Sequence, residues 1–300
     1  MGTTSFPFGR RATVRLSFAA AVVPLVVFVF GPAVAVLVLA FTDIRSLPGL
    51  PVHWIGFDNF ATFFNAAHLA DSLATLKNTV LYAGLLTLGQ VGLGLAIAVL
   101  LNRKLAGRNF LRSLVFMPVI LGVTVTALIW SLVFSIYGPV QHLLNVFGTE
   151  SAFFGDPKIA IFLVVFVAIW ANVGVTVVIF LAGLQAIPVE LYEVASIDGA
   201  SGGQIFRHIT FPMLAPSVTT NTLLGLIGSL QSYQLIYVLT GYRASTKVFS
   251  LAVFQTAFGT ATNAAVTQGY AAAISMVQFV FVGVIAAVVM TYLRRREARL

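Results

Sequence analysis

Residues Gly183 to Pro216 read GLQAIPVELYEVASIDGASGGQIFRHITFPMLAP and interrupt a chain that is apolar on either side. Glu190, Glu193, Asp198, Arg207 and His208 are too polar for hydrocarbon, so this stretch belongs in water. Its pattern predicts two short helices joined by a turn. Pro188 suits a first helical position, where its missing N–H has no partner to lose. Glu190 and Glu193 then fall in the first turn or so, where the positive end of the helix dipole favours them. Leu191, Val194 and Ala195 form an apolar stripe at i, i+3, i+4. Gly199 stands where a left-handed residue closes a helix. Ser201 and Gln204 match the S-x-x-Q capping box that opens a second one. Pro212 disfavours helix at Phe211, which predicts the end. On periodicity alone, an ordinary surface loop fits as well as a docking element.

Outward from this loop, composition decides the class. Of 300 residues 59% are hydrophobic and 9% are charged, against roughly a quarter charged in a soluble domain. The chain reads as an integral membrane protein. It has no cysteine, which excludes a disulfide framework and a thiolate metal site.

Arg10, Arg11 and Arg15 precede an apolar run from Leu16 to Phe41. Ala33-Val34-Ala35 resembles a signal-peptide cleavage site, but the run far exceeds the ~7–15-residue core of such a peptide. It is expected to be an uncleaved first span, kinked at Pro24 and Pro32. Thr42 to Lys77 reads as a mixed loop. Further spans are expected at about 78–101, 113–136, 159–182, 214–239 and 270–293. Val248 to Phe258 reads as a short amphipathic helix at the interface. The expectation is an all-α membrane protein, one domain over residues 1–300, with six transmembrane helices and the 183–213 loop between the fourth and fifth. Gly84, Gly89, Gly92 and Gly94 give the second span a small-residue face suited to close helix packing.

Lysine and arginine set the orientation. Twelve of them lie at the ends shared with Arg10, Arg103 to Arg112, Arg207 and Arg294 to Arg299, and five lie at the opposite ends. The positive-inside rule puts both termini and the 183–216 loop in the cytoplasm. Topology and anionic lipid account for the net charge of +8 better than nucleic acid does.

The residue pattern of the loop carries a resemblance. Glu193-Val194-Ala195, then Gly199, then Ile209-Thr210-Phe211-Pro212 resembles the E-A-A-x3-G-x9-I-x-L-P loop of ABC importer permeases. Val194 and Phe211 replace the usual Ala and Leu. Gly183 to Pro188 and Ile197 to Ala200 are similar to the carbohydrate-uptake branch, the maltose and glycerol-3-phosphate type of binding-protein-dependent inner-membrane permease. Gly56 to Phe60 resembles its G-L-x-N-[YF] segment, Arg112 to Pro118 its R-x-x-x-x-x-P entry, and Gly269 to Ala273 the start of its last span. The T-x-G-G-P turn is replaced by Thr240-Gly241-Tyr242-Arg243-Ala244.

The resemblance implies a coupling helix that docks on an ATPase, carried by Glu190, Glu193, Ala195, Asp198 and Gly199. It implies a second homologous permease, two ATP-binding subunits and an extracytoplasmic substrate-binding protein as partners, in a bacterial or archaeal inner membrane. ATP and magnesium would belong to those ATPase subunits, and this chain would need no cofactor.

Chemistry within the chain is sparse. There is no P-loop, no dinucleotide fingerprint and no metal-ligand spacing among His53, His68, His142 and His208. No expected span contains Asp, Glu, Lys, Arg or His, the usual carriers of proton coupling. Uncharged polar groups do occur. Trp170, Asn172 and Thr176 lie in the fourth span, Asn221, Ser229, Gln231, Ser232, Tyr233 and Gln234 in the fifth, and Ser275 and Gln278 in the sixth. Interhelical hydrogen bonding explains such groups one at a time. The dense Ser229–Gln234 cluster also suits a neutral polyhydroxylated ligand, and the resemblance implies substrate contacts at roughly Trp170 to Val175 and Ser229 to Tyr233; the expected substrate path is Trp170, Asn172, Thr176, Ser229, Gln231, Ser232 and Tyr233. Two other classes stay open on the residues alone. One is a stand-alone secondary carrier coupled to sodium through backbone carbonyls; the other is a membrane scaffold.

Overall fold

Backbone groups in hydrocarbon have no water to bond, so an apolar chain of this kind satisfies them within helices. The computed structural model describes residues 10–45, 49, 51–103, 106–259 and 266–297. Among them the only strand-like pairings are two isolated bridges, Thr42 with Trp54 and Arg45 with Thr267. Among the described residues, four helices are long and apolar enough to cross a membrane, or up to six if each of two bent pairs is one span.

The chain begins with α1 (Arg10–Leu25), a π-helical stretch (Val26–Phe30) and α2 (Gly31–Leu39). The distortion expected from Pro24 and Pro32 takes the form of this widened turn between them. None of the Ser17–Leu39 span is buried in the chain. After it, Asn59 at the start of α3 (Asp58–Phe64) donates to the Ala40 carbonyl at 2.8 Å and the Thr42 carbonyl at 2.9 Å. Phe41 stacks on Trp54 beside it, so the Gly56–Phe60 segment caps the first span.

Helix α4 (Ala66–Asn102) is 37 residues long and starts well before the expected Asn78. The Asn65 side chain accepts from the Ala67 N–H at 3.2 Å and nucleates the helix early. His68, Asp71 and Ser72 therefore lie on a helix rather than in a loop. At about 55 Å, α4 outreaches a hydrocarbon core of about 30 Å.

The third expected span is not one helix. It divides into α5 (Arg108–Ile120) and α6 (Val123–Val133), set at 102°. Pro118 lies in the last turn of α5, and Leu121 and Gly122 are extended, with ψ of 133° and 149°. The proline takes one N–H from the helical ladder, and the extended Leu121–Gly122 pair turns the chain. A short α7 (Pro139–Val146) follows.

Helix α8 (Ala160–Gln185) is the central post, packed against α4 and α5. Small residues make the approaches close. A Cβ on Gly174 would sit 2.8 Å from the Val115 carbonyl oxygen, and Gly94 faces Thr176. Gly84 and Gly92, by contrast, face open space.

The polar loop forms α9 (Val189–Ile197), α10 (Gly202–Ile205), a π-helical turn (Phe206–Thr210) and α11 (Phe211–Met213). Two expectations shift here. Pro188 is extended (ψ 133°) and precedes the helix instead of opening it. Pro212 does not end the second helix; the wide π turn before it relieves the crowding a proline imposes, and Phe211 stays helical. The chain bends only at Leu214, by 63°, into α12 (Ala215–Gln231). The expected fifth span breaks at Ser232–Tyr233 and resumes as α13 (Gln234–Thr240). Helix α14 (Phe249–Phe258) then packs beside α15 (Gln268–Glu297).

Candidate functional site

The break in the fifth span builds the site. Ser232 is extended, with ψ of 129°, and Tyr233 has φ of −139°, so the helix cannot bond across them. The Leu230 carbonyl is recovered from outside. It accepts from Ser250 Oγ on α14 and from Gln278 Nε2 on α15, each at 3.0 Å. Gln278 Nε2 also donates to Ser250 Oγ at 2.7 Å. This clamp holds the interruption open and turns Gln231 to Gln234 toward a cavity of about 580 Å³.

The wall comes from α4, the α5–α6 bend, α8, α12 and the break. Among the described residues it contains no Asp, Glu, Lys, Arg or His. Asn172, Thr176, Ser229, Gln231, Ser232 and Tyr233, all singled out from sequence, line it together. Their hydrogen bonding differs. Asn172 Nδ2 donates to the Ala168 carbonyl one turn back at 2.9 Å, which leaves its side-chain oxygen free. Ser229 Oγ is occupied with the Leu226 carbonyl at 2.8 Å. Ser232 Oγ accepts from Tyr82 at 3.3 Å. Gln231 is exposed and has no partner among the described residues.

Trp170, expected on the path, is not on this wall. It meets Trp130 edge-on with ring centroids 5.3 Å apart. Two residues along a helix is more than half a turn, so Trp170 faces away from Asn172. Ser275 also serves its own helix, bonding the Ala272 carbonyl at 2.8 Å.

Sequence reading missed the α4 wall. Tyr82 and Gln90 both line the cavity. Gln90 is 7% exposed and has no hydrogen-bond partner among the described residues. The available signal was an amide within an apolar, glycine-rich span.

A second feature lies on α9. Glu190, Glu193, Val194 and Ile197 share a face at i, i+3, i+4 and i+7, and all are exposed, Ile197 by 84%. The stripe of Leu191, Val194 and Ala195 does not face the body as one; Leu191 and Val194 are exposed and Ala195 is half-buried. Tyr192 packs inward instead, its hydroxyl 3.2 Å from Thr210 Oγ1. The helix closes in a Schellman turn. Ala200 N–H reaches the Ala195 carbonyl at 2.9 Å, Gly199 N–H reaches Ser196 at 3.2 Å, and Gly199 has φ of +74°. Asp198 is exposed beside it. The Ser201–Gln204 capping box forms, with Gln204 Oε1 accepting from Ser201 N–H at 2.7 Å.

Fold and cavity define a multi-pass membrane protein with a chamber of about 580 Å³ whose wall mixes apolar side chains with uncharged amides and hydroxyls. Residues 90–299 match the binding-protein-dependent transport system inner membrane components, and the chain belongs to that family. It is a membrane permease component, not an enzyme. A probable ABC transporter permease protein of Pyrococcus horikoshii is 33% identical over 235 residues, covering 76% of this chain and 78% of its own. The multiple sugar-binding transport system permease protein of Streptococcus mutans is 29% identical over 250 residues, covering 82% and 84%. A crystallised bacterial alginate ABC transporter, in complex with its alginate pentasaccharide-bound periplasmic protein, contains a chain similar in fold. Its TM-score is 0.77 at 21% identity, over 97% of this chain and 95% of that one.

Proposed function

We propose that this chain is the transmembrane subunit of an ATP-driven importer that moves a sugar or related polyhydroxylated solute into the cytoplasm by alternating access. In this reading it is one permease domain of six spans, each bent pair counting as one, with both termini cytoplasmic. A second permease, two ATP-binding subunits and an external binding protein complete the assembly. The relatives named for sugar and alginate support the solute class. A stand-alone sodium-coupled carrier is not favoured, because the family is dependent on a binding protein.

The observation that carries the reading is α9. An exposed helix face with Val194 and Ile197 set among Glu190 and Glu193 calls for a protein surface to cover it. Its position, between the central α8 and the bent α10–α12 segment that leads to the cavity break, gives any force on it a short mechanical path to the solute. ATP binding by the partner supplies the driving energy. The residues of this chain receive the motion at α9 and pass it along α8 and α12.

Glu193→Lys reverses the charge of that face, and Gly199→Val forces a β-branched residue into a left-handed turn. A Cβ at Gly199 meets nothing within 4 Å, so the cost is confined to the turn itself. Both variants should reach the membrane but lose uptake and substrate-stimulated ATP hydrolysis. Normal transport by both would remove the coupling role from α9.

A further inference from the structure

Arg112 stands in the second turn of α5 and is half-buried; its Nε and Nη2 are covered yet have no hydrogen-bond partner among the described residues. A guanidinium with two of its three nitrogens covered and unpaired is costly, and such orphans point to an acceptor from elsewhere. Arg112 borders a groove of about 490 Å³ along the seam of α5 and α8. Ser113 and Gln185 join it at one end. The remaining wall is apolar, including Val178 and Leu181, and runs back to Gly174. From Gln185 to Gly174 is about 17 Å of helix.

The shape and charge describe an amphiphile with an anionic head and one long apolar tail. Arg108 lies one turn before Arg112 on the same helix, which adds to the positive charge at that end. The groove residues of α8 lie roughly 130° round the axis from Asn172, Val175 and Thr176, which face the cavity. A second permease sharing the solute path would lie on the cavity side and leave this seam to the bilayer; that step rests on the importer reading. We propose that the groove binds an anionic phospholipid, with its phosphate on Arg112 and an acyl chain along the α5–α8 seam.

The test uses the transporter containing this chain, purified in mild detergent and exchanged into micelles holding phosphatidylglycerol and phosphatidylcholine. Native mass spectrometry should find one phosphatidylglycerol retained per copy of the chain, in preference to phosphatidylcholine. Arg112→Gln should weaken that retention roughly fivefold or more, in line with the usual effect of one basic residue at a lipid surface. Arg112→Lys should keep most of the preference. Val178→Trp fills the tail groove without touching the charge and should lower retention of both lipids. It therefore decides the matter even if Arg112→Gln fails to assemble. Equal retention of the two lipids by the unaltered chain, or no loss in either Arg112→Gln or Val178→Trp, would overturn the proposal. So would displacement by inorganic phosphate alone, which makes the site a plain anion site. Cross-linking of Val178→Cys to a protein subunit would also overturn it, and this chain has no cysteine of its own to confuse that result. Because the readout is lipid mass, failure of the importer reading would appear separately, as missing partners.

Discussion

Gln231 ends α12 with its amide exposed to the cavity and unpartnered among the described residues. One such side chain offers both donor and acceptor to a hydroxylated solute. Losing one such contact costs on the order of 1 kcal/mol, or about fivefold in affinity. Gln231→Leu should therefore raise the solute concentration for half-maximal uptake about fivefold while detergent melting stays unchanged. Asn172→Leu should do less, since its amide nitrogen already serves the Ala168 carbonyl. Reduced melting with unchanged kinetics would make both residues structural. Outside the spans, Asp43 accepts from the His53 N–H at 2.6 Å, and its other oxygen lies 2.9 Å from His53 Nδ1. These bonds hold the carboxyl below its usual 3.8, the backbone bond most of all. A depressed folded-state value means the link is complete above pH 3.8 and is lost as pH falls through the lower value. Amide exchange at His53, corrected for intrinsic rate, should accelerate in that acidic range. Asp43→Asn should abolish the acid step, and an unchanged step in that variant would assign it to another group.

Among the elements, the interruption at Ser232–Tyr233 decides where the polar cluster points. Its stability rests on the Leu230 carbonyl, which Ser250 and Gln278 satisfy from two other helices. Ser250→Ala combined with Gln278→Leu leaves that buried carbonyl unpaired, at about 1–3 kcal/mol. The pair should lower melting and also alter the solute dependence of uptake, because the break carries Gln231. Lower melting with unchanged solute dependence would mean the clamp does not position the site. This break was illegible in the sequence for a physical reason. Nothing local forbids helix through Leu230 to Tyr233, and the partners that reward the break lie 20 and 48 residues further along the chain. The bend after α5 is a middle case, since Pro118 and Gly122 are visible but the 102° angle is set by packing. The turn at Gly199 and the Ser201 capping box were legible because a few consecutive residues carry the whole of each. The wall cluster was legible as composition, amides and hydroxyls in spans without charge. Trp170 was misplaced and Gln90 missed because each depends on which face of a helix meets the cavity.

For the whole molecule, the first span lies unburied against its own chain while α8 is half buried. The polar break closes the end of α12 remote from the α9 loop, and α8 and the bent segment into α12 connect the two. In the proposed importer the solute path is opened and closed by force received at α9, and among the described residues the wall holds no charged group to couple an ion. The energy source is therefore the claim on which the rest depends. It is measured by reconstituting the purified assembly in liposomes, adding the external binding protein loaded with solute, and comparing uptake with ATP inside against uptake under a sodium or proton gradient. Uptake that requires internal ATP and the binding protein, and is indifferent to either gradient, is the predicted result; uptake by this chain alone, driven by an ion gradient without ATP, would contradict it.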